Sequence, residues 1–133
     1  MPRCLGSTTL NVSHESWPLR EAFKIARGSK TSAVVLVVTL NNAQFQGRGE
    51  AVPYGRYGET IESALQQIKS LSTLSSRDAL QTLLPAGAAR NAVDCAFWDL
   101  EAKRSGTAAA LQAGIPIIDP VLTAYTLSLD TPD

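Results

Sequence analysis

Hydrophobic and polar positions change their rhythm about halfway along the chain. From Ser32 to Leu40 nearly every residue is Val, Leu or Thr, a run that predicts a strand. Leu5 to Glu15 mixes polar and β-branched residues and predicts a strand before it, broken by Trp17-Pro18-Leu19. Ala22 to Lys30 is short and basic, is punctuated by Gly28, and predicts a loop. Asn41-Asn42 supplies turn chemistry, and Gln44 to Ala51 returns as a third strand. Gly47 and Gly49 inside that strand imply a bulge or a close approach of another backbone. Val52 to Glu59 holds Pro53, Gly55, Gly58 and two tyrosines, and predicts a loop.

Beyond Thr60 the spacing becomes helical. Ile61, Leu65, Ile68 and Leu71 share one face of a helix over Thr60 to Ser72, with Thr60 as its N-cap. Ser75-Ser76-Arg77-Asp78 fits a capping box that opens a shorter helix through Leu84, which Pro85 stops. Ala88 to Gly106 gives the strongest pattern in the chain. Ala89, Ala92, Val93, Ala96, Phe97 and Leu100 form one apolar stripe, and Gly106 stands where a left-handed stop belongs. Arg90 with Asp94, and Asp99 with Lys103, are i,i+4 pairs of opposite charge on its wetter faces. Thr107 to Ala113 predicts one more short helix ending at Gly114. Pro116 and Pro120 mark a linker, and Leu122 to Leu129 is β-prone. Strands first and helices afterwards predict an α+β domain, a three-stranded antiparallel meander followed by a helical bundle. The last strand has no partner in this scheme and reads as the beginning of a further unit.

Composition narrows the function classes. The 133 residues suffice for one domain with a core, and 44% apolar with 18% charged residues is the balance of a globular chain. Twelve basic residues against twelve acidic ones give no net charge, which excludes the basic surplus of a nucleic-acid binder or a polybasic membrane anchor. The longest apolar run, Ala33 to Val38, cannot span a bilayer, and the N-terminus lacks the apolar core of a signal peptide. Cys4 and Cys95 are too few and too far apart for a disulfide scaffold. Cys95 is expected to be a buried free thiol, and a cytoplasmic location follows. His14 stands alone, without the partners of a zinc site. Asp94 and Asp99, five apart, share no helix face, and the serines lack a nucleophile elbow.

Four stretches carry a further signal. They are Trp17 to Gly28, Gly47 to Thr60 with its Gly-x-Gly-Glu-x-x-Pro-Tyr core, Ala88 to Gly106, and Leu122 to Ser128. In order and spacing the chain resembles the N-terminal capping domain of the mandelate racemase/muconate lactonizing branch of the enolase superfamily. Tyr57-Gly58-Glu59-Thr60 and Thr123-Ala124-Tyr125-Thr126 look most like the dipeptide epimerases, and specifically the alanine/glutamate dipeptide epimerases of murein peptide recycling. One departure is Ala22, where many relatives place proline. The resemblance implies residues 1–115 as the capping domain, with 116–133 as a linker and the first strand of a (β/α)8 barrel that is otherwise missing.

It also implies a chemistry. Mg²⁺ held by barrel carboxylates would bind the substrate, and paired barrel lysines would remove and return the α-proton of a dipeptide. A barrel needs roughly 200 residues or more, so neither catalytic nor metal residues are expected in this chain, and the chain alone should not catalyse. Substrate contacts are expected from Arg27, Tyr54, Tyr57 and Thr126. Arg27 would grip an acidic side chain with its planar fork; it is equally readable as part of a solvated basic turn. Tyr54 and Tyr57 would close a pocket, or pack on their own domain. Glu50 would fix the domain against the barrel. Alternatives are the cap of a cycloisomerase, a dehydratase or an o-succinylbenzoate synthase-like enzyme, or a non-catalytic binding module. Expected partners are the dipeptide, the barrel and further copies in a homo-oligomer.

Overall fold

The computed structural model describes residues 8–71, 76–115 and 120–129. Cys4, the expected start of the first strand at 5–7, Ser72, Ser75, Pro116 and the last four residues lie outside them. Three antiparallel strands come first: β1 (Thr9–Ile25), β2 (Gly28–Asn41) and β3 (Gln46–Ala51), in the spatial order β1-β2-β3. A 3-10 turn (Gly55–Tyr57) leads to α1 (Ile61–Lys69), α2 (Arg77–Leu83), α3 (Ala88–Ser105) and α4 (Ala109–Gln112).

The largest departure from the sequence expectation lies between Trp17 and Lys30. No loop forms there. β1 continues through Trp17-Pro18, and the chain reverses in a tight turn at Ala26-Arg27, where Gly28 adopts φ +151°. Phe23 pairs with Lys30, Lys24 with Ser29 and Ile25 with Gly28. Pro18 pairs with Ser32 and Phe23 with Lys30, so Leu19, Arg20, Glu21 and Ala22 bulge out opposite Thr31 alone. Pro18 has no N–H to extend the regular ladder. Backbone pairing re-forms this arm beyond the core, where no buried face leaves an alternating pattern in the sequence.

Helices cover one face of the sheet. Leu36, Val38 and Leu40 of β2 meet Ala92, Val93, Ala96, Phe97 and Leu100 of α3, all fully buried. The α3 stripe is therefore the core face that the pattern predicted. α3 lies directly over β3, and the two strand glycines make this possible. A Cβ at Gly47 would strike the carbonyl oxygen of Ala96, and one at Gly49 that of Ala92. On the opposite face, Val35 and Val37 are also buried. There Glu15 of β1 and Arg48 of β3 pair at 3.7 Å across the central strand.

The helix ends follow their local chemistry. Thr60 and Ser63 form a reciprocal capping box at α1, and Ser76 Oγ accepts from the Ala79 amide at α2. Gly106 and Gly114 take left-handed conformations after α3 and α4. The Arg77 guanidinium stacks 3.5 Å from the Trp98 ring centroid and bonds Glu101 at 3.1 Å, tying α2 to α3.

Two further expectations fail. Cys95 is exposed, because it lies one residue, roughly 100° of helix, off the buried Ala96. Leu122 to Leu129 has no regular strand structure. It touches β1 through one backbone bond, from the Leu129 amide to the Lys24 carbonyl at 2.9 Å, and a β-prone run without a full ladder partner stays irregular.

Candidate functional site

The β1–β2 arm, the exit from β3 and the C-terminal segment enclose an open groove of about 1390 Å³. One wall is the bulge, Leu19 to Ala22, continuing into Phe23 and Lys24; the floor is Ser29 to Val34 of β2. Val52, Pro53 and Ile61 close one side, and Tyr125, Thr126, Ser128 and Leu129 the other. Apolar surface from Leu19, Phe23, Val34, Val52 and Pro53 thus surrounds Arg20, Lys24 and Lys30, with Glu21 as the one acidic residue among the lining residues. An excess of cations in an apolar hollow suits a ligand with an aliphatic body and an anionic end.

Hydrogen bonds between side chains and backbone tie the borders of the groove. Ser128 Oγ accepts from the Lys24 amide at 2.9 Å and donates to the Ala22 carbonyl at 3.3 Å. At the other side, the loop after β3 is pinned at its far end. Glu59 Oε1 accepts from the Ala88 amide at 2.6 Å and so caps α3, whose preceding residue Gly87 offers no side chain. A Cβ on Gly87 would sit 2.5 Å from that oxygen.

The four residues expected to touch substrate are placed differently. Thr126 lines the groove. Tyr54 flanks it: the Lys30 ammonium lies 5.9 Å from its ring centroid, and 47% of the residue is exposed. Tyr57 stands behind Tyr54, ring centroids 6.0 Å apart at 48°, and is 76% exposed. Arg27 occupies the exposed turn at the tip of the arm, outside the lining. Sequence pattern alone passed over Lys30, a cation that does line the groove. The turn glycine at 28 was the available signal, since a reversal there puts Arg27 at the apex and Lys30 back on a strand.

Other polar residues lie elsewhere. Glu50 is exposed on the sheet face away from the helices. Asp99 accepts from Lys103 Nζ at 2.7 Å, as the spacing predicted, and also from the Arg48 amide at 2.8 Å. Partial burial pushes its carboxyl up, but the bonds from Lys103 and Arg48 and the Lys103 charge outweigh this, so its pKa lies below the usual 3.8. Arg90 and Asp94 form no ion pair among the described residues. Nor do any three His, Cys, Asp or Glu side chains among the described residues converge to hold a metal ion.

Residues 7–111 match the family model of the mandelate racemase/muconate lactonizing enzyme N-terminal domain. The chain is 47% identical over 129 residues to the L-Ala-D/L-Glu epimerase of Escherichia coli (strain K12), covering 94% of this chain and 40% of that protein. Among solved structures it resembles an enolase family member from Agrobacterium tumefaciens with homology to dipeptide epimerases, with bound sodium and L-Ala-L-Glu. The TM-score is 0.83 at 45% identity, over 93% of this chain and 39% of that one. It also resembles the dipeptide epimerase of Methylococcus capsulatus complexed with Mg and L-Arg-D-Lys, at TM-score 0.66 and 30% identity, over 74% of this chain and 32% of that one. The chain therefore spans about 40% of the length of the curated relative it matches.

Proposed function

Because the chain belongs to the mandelate racemase/muconate lactonizing enzyme family, as an N-terminal domain of that family, we propose that it caps the active site of a dipeptide epimerase acting on alanyl-glutamate dipeptides. Residues 1–115 form the cap in this reading, and 116–133 are the linker and first strand of a barrel. The whole protein is an isomerase of the cytoplasm. No helix among the described residues is long and apolar enough to cross a membrane. The observation that carries the reading is the groove: a cation-bearing apolar hollow walled by the hairpin arm and the Thr126 segment, in a chain 47% identical to such an epimerase.

Each part has a physical task. Lys30, facing the groove beside Tyr54, attracts the glutamyl carboxylate, and Arg27 reaches over the mouth from the tip of the arm. Tyr54 and Tyr57 shield the bound peptide from water, and Thr126 contacts it from the opposite wall. Mg²⁺, present in the Methylococcus capsulatus relative, is the cofactor of the whole enzyme, where it polarises the substrate carboxylate. The described residues of this chain do not fit it, having no converging ligand set.

A chimaera tests the reading, with this chain replacing the corresponding part of the Escherichia coli relative. It is expected to exchange the α-proton of L-Ala-L-Glu in deuterium oxide only when Mg²⁺ is added. The 133-residue chain alone is expected to exchange none. A charge-assisted hydrogen bond contributes about 1.5–3 kcal/mol. Lys30→Ala should therefore lower kcat/KM for the glutamyl dipeptide by about 10- to 150-fold, and Arg27→Ala by an amount toward the lower end. L-Ala-L-Ala should be affected little by either. A folded chimaera without exchange would sink the epimerase reading, and equal losses on both dipeptides would sink the charge-selecting roles.

A further inference from the structure

One side chain joins the two walls of the groove, and no sequence pattern singles it out. Ser128 reaches from the C-terminal segment to the arm, accepting from the Lys24 amide at 2.9 Å and donating to the Ala22 carbonyl at 3.3 Å. Ala22 ends the β1 bulge, and Lys24 lies just beyond it, where the β1–β2 ladder has resumed at Phe23. Next to it, the Leu129 amide bonds the Lys24 carbonyl at 2.9 Å. Three hydrogen bonds thus gather within two residues, on a segment that otherwise lacks regular pairing.

The bulge explains why a hydroxyl is needed. A regular neighbouring strand would satisfy Ala22 and Lys24 with its own backbone, but the C-terminal segment runs only a short way along this edge. A hydroxyl both donates and accepts, so one serine can meet a carbonyl and an amide two residues apart. Alanine could serve neither. Thr126 lies two residues before Ser128, and both residues line the groove.

We propose that Ser128 is a positioning residue of the groove: its hydroxyl clamps the hairpin arm to the segment carrying Thr126, and so fixes the spacing between the walls that receive the ligand. The inference rests on the dipeptide-binding reading of that groove. It concerns how the site is held, and it assigns Ser128 no contact with substrate.

Amide hydrogen exchange on the 133-residue chain tests it, with Ser128→Ala and Ser128→Thr beside the wild type. Local opening of the arm should govern exchange at Lys24, whereas Val38 in the core reports on global stability. In Ser128→Ala the Lys24 amide should exchange about 2- to 10-fold faster, the range of one net hydrogen bond, while Val38 is unchanged. Ser128→Thr keeps the hydroxyl and should restore protection. Equal Lys24 rates in wild type and Ser128→Ala would overturn the clamp, as would failure of threonine to rescue with Val38 unchanged. Addition of L-Ala-L-Glu separates this proposal from the reading beneath it. If Lys24 responds as expected while L-Ala-L-Glu added to the folded chimaera with Mg²⁺ undergoes no α-proton exchange, the clamp stands and the dipeptide reading fails.

Discussion

Gly49 shows how much one missing methyl group can decide. Its Cβ would meet the Ala92 carbonyl oxygen, and would lie 2.6 Å from the Ala96 amide nitrogen. Both are helix backbone, so no rotamer change can relieve the clash. Overpacking of a core typically costs about 1–3 kcal/mol, and this site belongs at the upper end. Gly49→Ala should therefore lower the urea midpoint strongly. Gly55, where an added methyl would meet nothing within 4 Å, should accept alanine within about 0.5 kcal/mol. Similar midpoints for the two variants would mean that α3 does not rest on β3. The glycines were legible in the sequence as a sign of close approach, but only the fold shows which backbone approaches.

At the scale of elements, α3 also protects the sheet. β3 is an edge strand, and two of its backbone groups are occupied by helix side chains. Asp99 accepts from the Arg48 amide, and Lys103 donates to the Gln46 carbonyl at 2.9 Å. Blocking such groups discourages pairing with another chain. The Asp99 carboxyl titrates below its usual 3.8 in the folded protein. Its charge therefore adds stability above that value, and the contribution is lost as the pH falls through 3.8 toward the folded pKa. The side chain is about one third exposed, so solvent screening keeps the effect to about 1 kcal/mol or less. Asp99→Asn should be less stable than wild type at pH 7, and the gap should close in acid. A gap that persists or widens below about pH 3, well under the ordinary carboxylate range, would show that the charge is not its source. The i,i+4 spacing revealed the Asp99–Lys103 pair; the bonds to β3 span about fifty residues of sequence, and no local pattern encodes them.

Across the whole molecule, the C-terminal segment offers the most exposed apolar surface. Val121 is 80% exposed, Leu127 78% and Tyr125 86%, and Leu122 is fully open to solvent. Contiguous surface of this kind favours association, and the segment's backbone adds donors and acceptors outside any regular ladder. The 133-residue chain is expected to self-associate as its concentration rises toward millimolar, and Leu122→Lys with Leu127→Lys should weaken this. A monomer throughout the range by sedimentation equilibrium would count against it. By itself, the sequence determined the meander, the caps at Thr60 and Ser76, the stops at Gly106 and Gly114, and the buried stripe of α3. Each of these is written in side-chain type and spacing over a few neighbouring residues. Only the tertiary structure decided that residues 17–30 form a paired arm, that Cys95 faces outward, that Lys30 and not Arg27 lines the groove, and that Ser128 and Glu59 fasten its borders. Those outcomes depend on hydrogen bonds between distant backbone segments and on the phase of one helix against the sheet, which local patterns do not record.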